Sequence, residues 1–69
     1  MHERLHNRLR ELRERAGLTQ AELAAMADVS RKTVNTVENG VFIPSTVVSL
    51  RLAKALGALV EDLFQLPED

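Results

Sequence analysis

A joint of only three residues between two predicted helices constrains this chain more than any other feature. One helical segment spans residues 20–27 and the next spans residues 31–38, so residues 28–30 must make the whole turn. A connection this short forces the two helices to cross steeply. Ala24 is small enough to let the two backbones approach, and Val29 is placed to fill the corner. The joint therefore predicts a helix-turn-helix at about residues 20–38.

Capping residues and a glycine mark the ends of the helices around this joint. Thr19 is followed three residues later by Glu22, which is a capping box. Ser30 and Ser45 are placed to cap the next two helices, and Gly17 ends the first one. We predict five helices, at about residues 3–16, 20–27, 31–38, 46–56 and 60–64.

The apolar residues recur at helical spacing, which predicts a single all-α domain over residues 1–69. The expected core consists of Leu9, Leu12, Leu23, Val34, Val37, Leu50, Ala53 and Leu56. A chain this short buries only about 60% of the surface that it exposes when unfolded, which leaves no room for a deep catalytic cleft. We therefore expect no enzyme activity and no cofactor.

The net charge of −1 conceals an uneven distribution of charged residues. Residues 1–35 contain seven basic and five acidic residues, a balance of +2. Residues 36–69 contain two basic and five acidic residues, a balance of −3. A basic front and an acidic back would allow one side of the protein to bind nucleic acid. The total charge therefore does not decide for or against such a partner.

The chain has no cysteine, which excludes a disulfide framework, thiolate zinc sites and thiol catalysis. A lack of cysteine also fits a reducing compartment. The longest purely apolar run, at residues 23–27, has five residues, whereas a membrane-spanning helix needs about 18. We expect a cytoplasmic protein with no membrane partner.

Residues 2–6 match H-E-x-x-H, the zinc-binding motif of a class of helical proteases. Such a site needs a third ligand and a substrate cleft, and the chain has only two histidines. We interpret the match as a coincidence and predict no metal site.

Several short stretches make the sequence resemble a known family of regulators. They are LTQAELA at residues 18–24, VSRKTV at 29–34, ENG at 38–40, AKALG at 53–57 and EDLF at 61–64. Together they resemble the Xre family of Cro/repressor-type helix-turn-helix transcriptional regulators. The resemblance covers nearly the whole chain and implies a lambda-repressor-like fold of five short helices.

The resemblance also implies which side chains meet DNA. Gln20 matches a position that hydrogen-bonds a phosphate and braces the recognition helix. Exposed residues of that helix match positions that contact base edges, and their chemistry fits: Arg and Lys suit guanine, Asn suits adenine, and a Thr methyl suits thymine. The expected DNA contacts are Gln20, Ser30, Arg31, Lys32, Thr33, Asn35, Thr36 and Asn39.

A further implication of the resemblance is an ion pair between Arg13 and Glu38, which would tie the first helix to the third. We assign this pair a structural role. If it is buried, removing one partner costs more than the pair itself contributes.

Two departures from the family pattern affect the expected DNA contacts. Asp28 occupies a turn position that is usually Gly, and Asp tolerates the left-handed conformation better than most residues. After Gly40 the family often has Lys, Arg or Tyr directed toward phosphate, whereas this chain has Val41 and Phe42. We therefore expect few phosphate contacts there and a shallow salt dependence of binding.

The C-terminal part of the chain, at about residues 57–69, carries apolar residues beyond what a small core needs. Val47 and Val48 add to this excess and suggest a covered surface. Since palindromic DNA sites are bound by two-fold dimers, we expect a homodimer. The resemblance to the regulator family further implies that residues 64–66 extend as a short strand across it. The expected dimer contacts are Leu59, Leu63, Phe64 and Leu66.

These observations predict a sequence-specific transcriptional regulator, and specifically a repressor that binds palindromic double-stranded DNA as a homodimer. We expect no small-molecule effector domain. Two alternatives stay open. One is a DNA-binding antitoxin or restriction-controller protein, and the other is a dimeric protein-interaction module that has lost DNA binding.

Overall fold

The computed structural model describes residues 5–41 and 43–67, and it confirms the predicted fold of five short helices. A pair of two-residue strands joins the two ends of the described chain. In order, the elements are β1 (His6–Asn7), α1 (Leu9–Arg15), α2 (Gln20–Ala27), α3 (Arg31–Glu38), α4 (Thr46–Leu56), α5 (Val60–Leu63) and β2 (Phe64–Gln65).

Side-chain caps begin three of the helices where the sequence predicts them. At α2, the Thr19 hydroxyl accepts a hydrogen bond from the backbone N–H of Glu22 at 3.0 Å, and the Glu22 carboxylate accepts one from the N–H of Thr19 at 2.8 Å. Ser30 caps α3 and Ser45 caps α4 in the same way, each accepting from the N–H three residues later. Each cap satisfies a backbone donor that the helix itself leaves unpaired.

The turn between α2 and α3 depends on the left-handed backbone of Asp28, which has φ 56° and ψ 47°. Two hydrogen bonds close the end of α2, from Asp28 N–H to the carbonyl of Ala25 and from Val29 N–H to the carbonyl of Ala24. This is a Schellman motif, which usually has Gly at the left-handed position. The turn is thus made as expected, with Asp in place of Gly.

The core lies where α1, α2, α3 and α4 meet. Its six fully buried side chains are Leu9, Leu23, Leu52, Leu63, Val34 and Val37. Alanines of α2 and α4 fill the remaining space, and their small size allows these helices to lie close together. The core therefore fixes α3 against the rest of the domain through its two inward valines.

The first helix begins later than the predicted residue 3. His6 and Asn7 are extended and pair antiparallel with Gln65 and Phe64, and α1 begins only at Leu9. Leu5 still packs against the core, but it lies just before strand β1 and outside any helix. Long-range strand pairing therefore overrides the helical spacing of the leucines at this end.

The face that α4 turns inward also differs from the prediction. Leu50 was expected in the core but is 55% exposed, whereas Leu52 is fully buried. The buried positions Ser49, Leu52 and Ala53 follow the spacing of i, i+3 and i+4 that defines one side of a helix. Leu50 lies off this side, so the prediction chose the wrong leucine.

Strand β2 pairs with β1 of its own chain, and this pairing occupies one edge of β2, so a strand that crosses a dimer stays a prediction. Leu63 is fully buried and Phe64 is 8% exposed, so both side chains lie in the core of a single chain. Leu59 and Leu66, the other two predicted dimer contacts, are exposed.

Candidate nucleic-acid interface

Helix α3 has one buried side and one exposed polar side. Val34 and Val37 are fully buried on the inner side, while Arg31, Lys32 and Asn35 are exposed on the outer side. We call Arg31, Lys32 and Asn35 the recognition face. Because α3 is anchored by its valines, these three side chains are presented on a fixed helix.

The two cations of the recognition face are not neutralised by acidic neighbours. Within the part of the chain that the structure describes, four ion pairs are present, and none of them involves Arg31 or Lys32. Their charges are therefore available to an anionic partner. A guanidinium or an ammonium group at such a position can donate hydrogen bonds to guanine or to phosphate.

The hydroxyl groups predicted as DNA contacts are engaged within α3 itself. Ser30 Oγ lies 2.8 Å from Thr33 Oγ1, and Ser30 also caps the helix. Thr36 Oγ1 donates to the carbonyl of Lys32 at 2.9 Å. These contacts fix the three side chains in place, and a further contact to DNA would add to them.

Amide side chains connect the recognition face to the start of α2. Gln20 Oε1 accepts a hydrogen bond from Asn35 Nδ2 at 3.3 Å, and Asn35 Oδ1 accepts one from Asn39 Nδ2 at 3.0 Å. Each bond uses one of the two donors or one of the two lone pairs that the Asn35 amide group offers. One donor and one acceptor site of Asn35 remain, which is the combination that an asparagine needs for a bidentate contact with adenine.

A buried carboxylate anchors these amides. The Glu38 side chain has no exposed surface, and its Oε1 accepts a hydrogen bond from Gln20 Nε2 at 3.1 Å. Arg13 pairs with both Glu38 oxygens and also donates to the carbonyl of Leu18 at 2.8 Å. The structure thus contains the ion pair that the resemblance implies, and this pair holds α1, α2 and α3 together.

Arg10 is a second cation at Glu38, and the sequence analysis missed it. Its Nε donates to Glu38 at 3.2 Å, and its NH2 group donates to Asn39 Oδ1 at 2.7 Å. Since Arg10 and Arg13 are three residues apart in the predicted first helix, their spacing alone places both on one side of it. That spacing was the available signal.

Hydrogen bonds outweigh burial at Glu38. Burial opposes ionisation of this carboxylate, but the hydrogen bonds from Arg13, Gln20 and Arg10, with the charge of Arg13, lower its pKa below the ordinary value for Glu. Glu38 is therefore ionised at neutral pH.

A second exposed surface is partly apolar. A groove of about 330 Å³ lies between α4 and α5, lined by Pro44, Leu50 and Val60 together with the polar residues Thr46, Ser49 and Glu61. Val47 is 56% exposed and lies one helical turn before Leu50. We call Pro44, Val47, Leu50 and Val60 the apolar face.

Two predictions fall partly outside the described residues. Of the H-E-x-x-H match, His2 and Glu3 lie outside them, and His6 is in a strand instead of a helix. Of the two apolar residues after Gly40, Val41 is exposed and Phe42 lies outside the described residues.

Neither a membrane span nor a metal cluster is found in the described ranges. No helix within residues 5–41 and 43–67 has the length and hydropathy to cross a bilayer. The same residues contain no group of three or more His, Cys, Asp or Glu side chains placed to hold a metal ion.

Comparison with known proteins finds relatives that carry a helix-turn-helix. A family model described as helix-turn-helix matches residues 9–63. The uncharacterized HTH-type transcriptional regulator YgzD of Bacillus subtilis is 37% identical over 65 residues, which cover 94% of this chain and 98% of that protein. An uncharacterized HTH-type transcriptional regulator of Methanothermobacter thermautotrophicus is 45% identical over 62 residues, which cover 88% and 90% of the two chains.

A solved structure agrees with the fold. The crystal structure of the restriction-modification controller protein C.AhdI from Aeromonas hydrophila superposes with a TM-score of 0.79. The match covers 83% of this chain and 86% of the controller protein, and the two sequences are 44% identical over it.

Proposed function

This chain belongs to the helix-turn-helix family of DNA-binding transcriptional regulators, and we propose that it represses transcription by binding a palindromic operator as a homodimer. Two copies of α3 would enter successive major grooves, about 34 Å apart. Repression would follow because the bound dimer blocks a promoter.

The observation that carries this proposal is the recognition face. Arg31 and Lys32 are exposed cations without acidic partners in the described structure, and Asn35 lies beside them on the same rigid helix. Side chains of these three types read base edges in the major groove. A merely solvated helix face would not need an amide fixed from two sides by other amides.

The remaining predicted contacts have supporting roles in the proposal. Gln20 would contact a phosphate at the start of α2 while it braces Asn35. Residues at the two ends of α3 would position the helix on the DNA backbone or add base contacts, namely Ser30, Thr33, Thr36 and Asn39. With Val41 exposed after Gly40 instead of a basic residue, the salt dependence of binding would be shallow.

Selection from random double-stranded DNA tests the proposal directly. The protein at low salt should enrich a palindrome whose half-sites lie about one helical turn apart. If no sequence is enriched although the protein is folded, the regulator proposal fails. In that case the alternative of a protein-interaction module without DNA binding is favoured.

Substitutions in α3 and α2 distinguish side chains that read bases from side chains that contact phosphates. Asn35→Ala should relax one base position of the selected operator by about 1–3 kcal/mol, because its bidentate contact is lost. Gln20→Ala should weaken binding to all sequences, because a phosphate contact carries no sequence information. It should relax the base position read by Asn35 less than Asn35→Ala does, because Asn39 still holds that amide. An equal loss on every sequence from both variants would contradict these roles.

The proposed dimer places the apolar face, together with exposed Leu59, against a second copy. Apolar side chains that stay exposed around a groove on one domain are typical of an interaction surface. The face lies on α4 and α5, whereas the recognition face lies on α3, so a dimer formed through it would leave both recognition helices exposed. Leu66 follows shortly after α5 in the sequence. It is the other predicted dimer contact that remains exposed.

The similarity to C.AhdI favours a second candidate function, that of a restriction-modification controller. Both candidates use the same DNA-reading surface, so DNA binding does not separate them. Genes for a methyltransferase and an endonuclease next to the gene for this chain would favour the controller. A reporter gene that is repressed by this chain, in the absence of such neighbours, would favour the general repressor.

A further inference from the structure

We infer that Asn7 is a positioning residue that tethers the C-terminal turn of α3 to the paired strands and so sets the discrimination between operator and other DNA. The inference rests on the proposed function, because it concerns how the recognition helix is held. It begins from one long-range contact. Asn7 Nδ2 donates a hydrogen bond to the backbone carbonyl of Val37 at 2.6 Å, across 30 residues of sequence.

The Val37 carbonyl lies where α3 ends. Helix ends leave carbonyl groups without partners in the helix. At α3, the Gly40 N–H donates to the carbonyl of Val37 and the Val41 N–H donates to the carbonyl of Thr36, which is a Schellman motif. The Val37 carbonyl therefore accepts two hydrogen bonds, one from its own turn and one from Asn7. The second bond connects this turn to a different part of the fold.

Asn7 is itself held firmly. Its backbone belongs to β1, opposite Phe64 of β2, and its Oδ1 accepts a hydrogen bond from the N–H of Leu9 at 2.9 Å. The next residue continues the connection, since Arg8 N–H donates to the carbonyl of Leu63 at 2.8 Å. Phe64 and Leu63 are buried in the core, so the Asn7 amide reaches Val37 from a fixed base.

The tethered turn carries two of the proposed DNA contacts. Asn35 and Asn39 lie in this turn and are hydrogen-bonded to each other. A turn that shifts or opens would displace both amides from the base edges that they read. Arg31 and Lys32 lie at the other end of α3 and would keep their charges in place. Loss of the tether should therefore reduce discrimination between sequences more than it reduces general attraction to DNA.

The variant Asn7→Ser tests this inference without adding charge. A serine hydroxyl can still accept from the Leu9 N–H, but it is too short to reach the Val37 carbonyl. The matched control is His6→Ala, which changes an exposed neighbour on the other face of the same two-residue strand. Asn7→Asp is a second test variant that keeps the acceptor and lacks the donor.

The decisive measurement is the ratio of the dissociation constant for non-operator DNA to the dissociation constant for operator DNA. In Asn7→Ser this ratio should fall by roughly threefold to tenfold, as expected for one hydrogen bond, while binding to non-operator DNA stays the same. If Asn7 only supported folding, a smaller fraction of competent protein would weaken both affinities by the same factor. An unchanged ratio, or equal loss on both DNAs, would overturn the inference.

Amide hydrogen exchange tests the tether without DNA. Exchange at Gly40 and Val41, which close the end of α3, should be faster in Asn7→Ser and Asn7→Asp than in the wild type and in His6→Ala. Equal exchange rates in all four proteins would overturn the tether even if an operator is found. Failure to select any operator would instead overturn the proposed function, whatever the exchange rates are.

Discussion

The recognition face of α3 and the apolar face of α4 and α5 are both exposed, but their side chains are held very differently. Asn35 on the recognition face is hydrogen-bonded to Gln20 and Asn39, and through Gln20 it is connected to the buried carboxylate of Glu38. Leu50 on the apolar face is 55% exposed and lines a groove of about 330 Å³.

This difference indicates two kinds of binding. A face whose polar groups are already oriented loses little conformational entropy when it binds, and it favours partners with matching donors and acceptors. An apolar face gains mainly from the removal of its surface from water, and its selectivity comes from shape. The first suits the reading of DNA, and the second suits contact with another protein surface.

The largest expected effect concerns the buried Glu38 carboxylate, which holds the amides of the recognition face in place. Arg13→Ala should lower the free energy of unfolding by about 3 kcal/mol, because it leaves the Glu38 carboxylate buried with weaker compensation. This estimate is at the low end for a buried pair, since Arg10 and Gln20 still donate to Glu38. Urea unfolding at pH 7 measures the change.

Arg10→Ala is the matched control for this prediction. Arg10 also pairs with Glu38, but its side chain is 52% exposed, whereas that of Arg13 is 12% exposed. Exposed ion pairs contribute only about 0–1 kcal/mol. Equal losses from the two variants would show that burial does not distinguish these arginines and that the anchor is no stronger than a surface contact.

The same carboxylate makes stability depend on pH. Its pKa is lower in the folded chain than the ordinary Glu value, because the hydrogen bonds from Arg13, Gln20 and Arg10 outweigh burial. The unfolded chain therefore takes up this proton first as the pH falls. The stabilisation is complete above the ordinary Glu pKa and is lost as the pH falls through the lowered value.

Glu38→Gln should flatten this acid dependence in unfolding measurements between pH 7 and pH 3. Part of the dependence should remain, because the pKa values of Glu11 and Glu22 are also lowered, by hydrogen bonds from Arg8 and from Thr19 respectively. The stability lost when Glu38 is protonated should be smaller than the stability lost in Arg13→Ala, since protonation leaves every hydrogen-bond partner of Glu38 in place. An unchanged pH profile would contradict the assignment to Glu38.

The two faces also differ in how far the sequence predicts them. The bounds of α2, α3 and α4 follow from local signals. Thr19, Ser30 and Ser45 cap the N-terminal ends, and a left-handed residue follows each C-terminal end. The recognition face could be predicted because it lies entirely within one such helix. Its anchor could be predicted only through the family resemblance, since no local pattern pairs Arg13 with Glu38.

The strand pair and the inward side of α4, which decide what the C-terminal part exposes, depend on contacts that have no local sequence signal. The strand pair joins His6 to Gln65 across almost the whole chain, so the helical spacing of the leucines predicted a helix where β1 lies. That pairing also draws Phe64 into the core, which removes it from the predicted dimer surface. In α4, predicting which of Leu50 and Leu52 is buried requires knowing which side of the helix faces the core, and this depends on tertiary packing.

Leu50→Lys tests whether the apolar face contacts a second copy. In a two-fold dimer the substitution occurs twice and buries two ammonium groups, so dimerisation should weaken by about 2 kcal/mol. Stability of the isolated chain should change little, because the Leu50 side chain is largely exposed. Sedimentation over a range of concentrations measures the dimer, and urea unfolding measures stability.

Met26→Lys is the control, because Met26 is equally exposed, at 57%, on a different helix. It should leave the dimer unchanged. Leu66→Lys separates the apolar face from the surface at the end of the chain. If Leu66→Lys disrupts the dimer and Leu50→Lys does not, the copies meet through the C-terminal end and the apolar face has another role.

The smallest predicted effect concerns the turn that orients the recognition face. Each of the helices α1, α3 and α4 ends at a left-handed glycine, whereas α2 ends at Asp28 with φ 56°. A residue with a Cβ is strained in this conformation and Gly is not. Asp28→Gly should therefore raise the free energy of unfolding by up to about 1 kcal/mol. The Arg51 contact at this turn should survive, because it is made to the backbone carbonyl of residue 28 at 3.2 Å.

Asp28→Ala shows whether the backbone or the charge is responsible. This variant removes the same carboxylate, whose negative charge lies at the C-terminal end of α2, but keeps the Cβ and therefore the strain. A gain with Gly and none with Ala would assign the effect to backbone conformation. Equal gains from both would assign it to the helix dipole. In the first case the α2–α3 joint, which most constrains the fold, is also a point where the chain has not reached its most stable form.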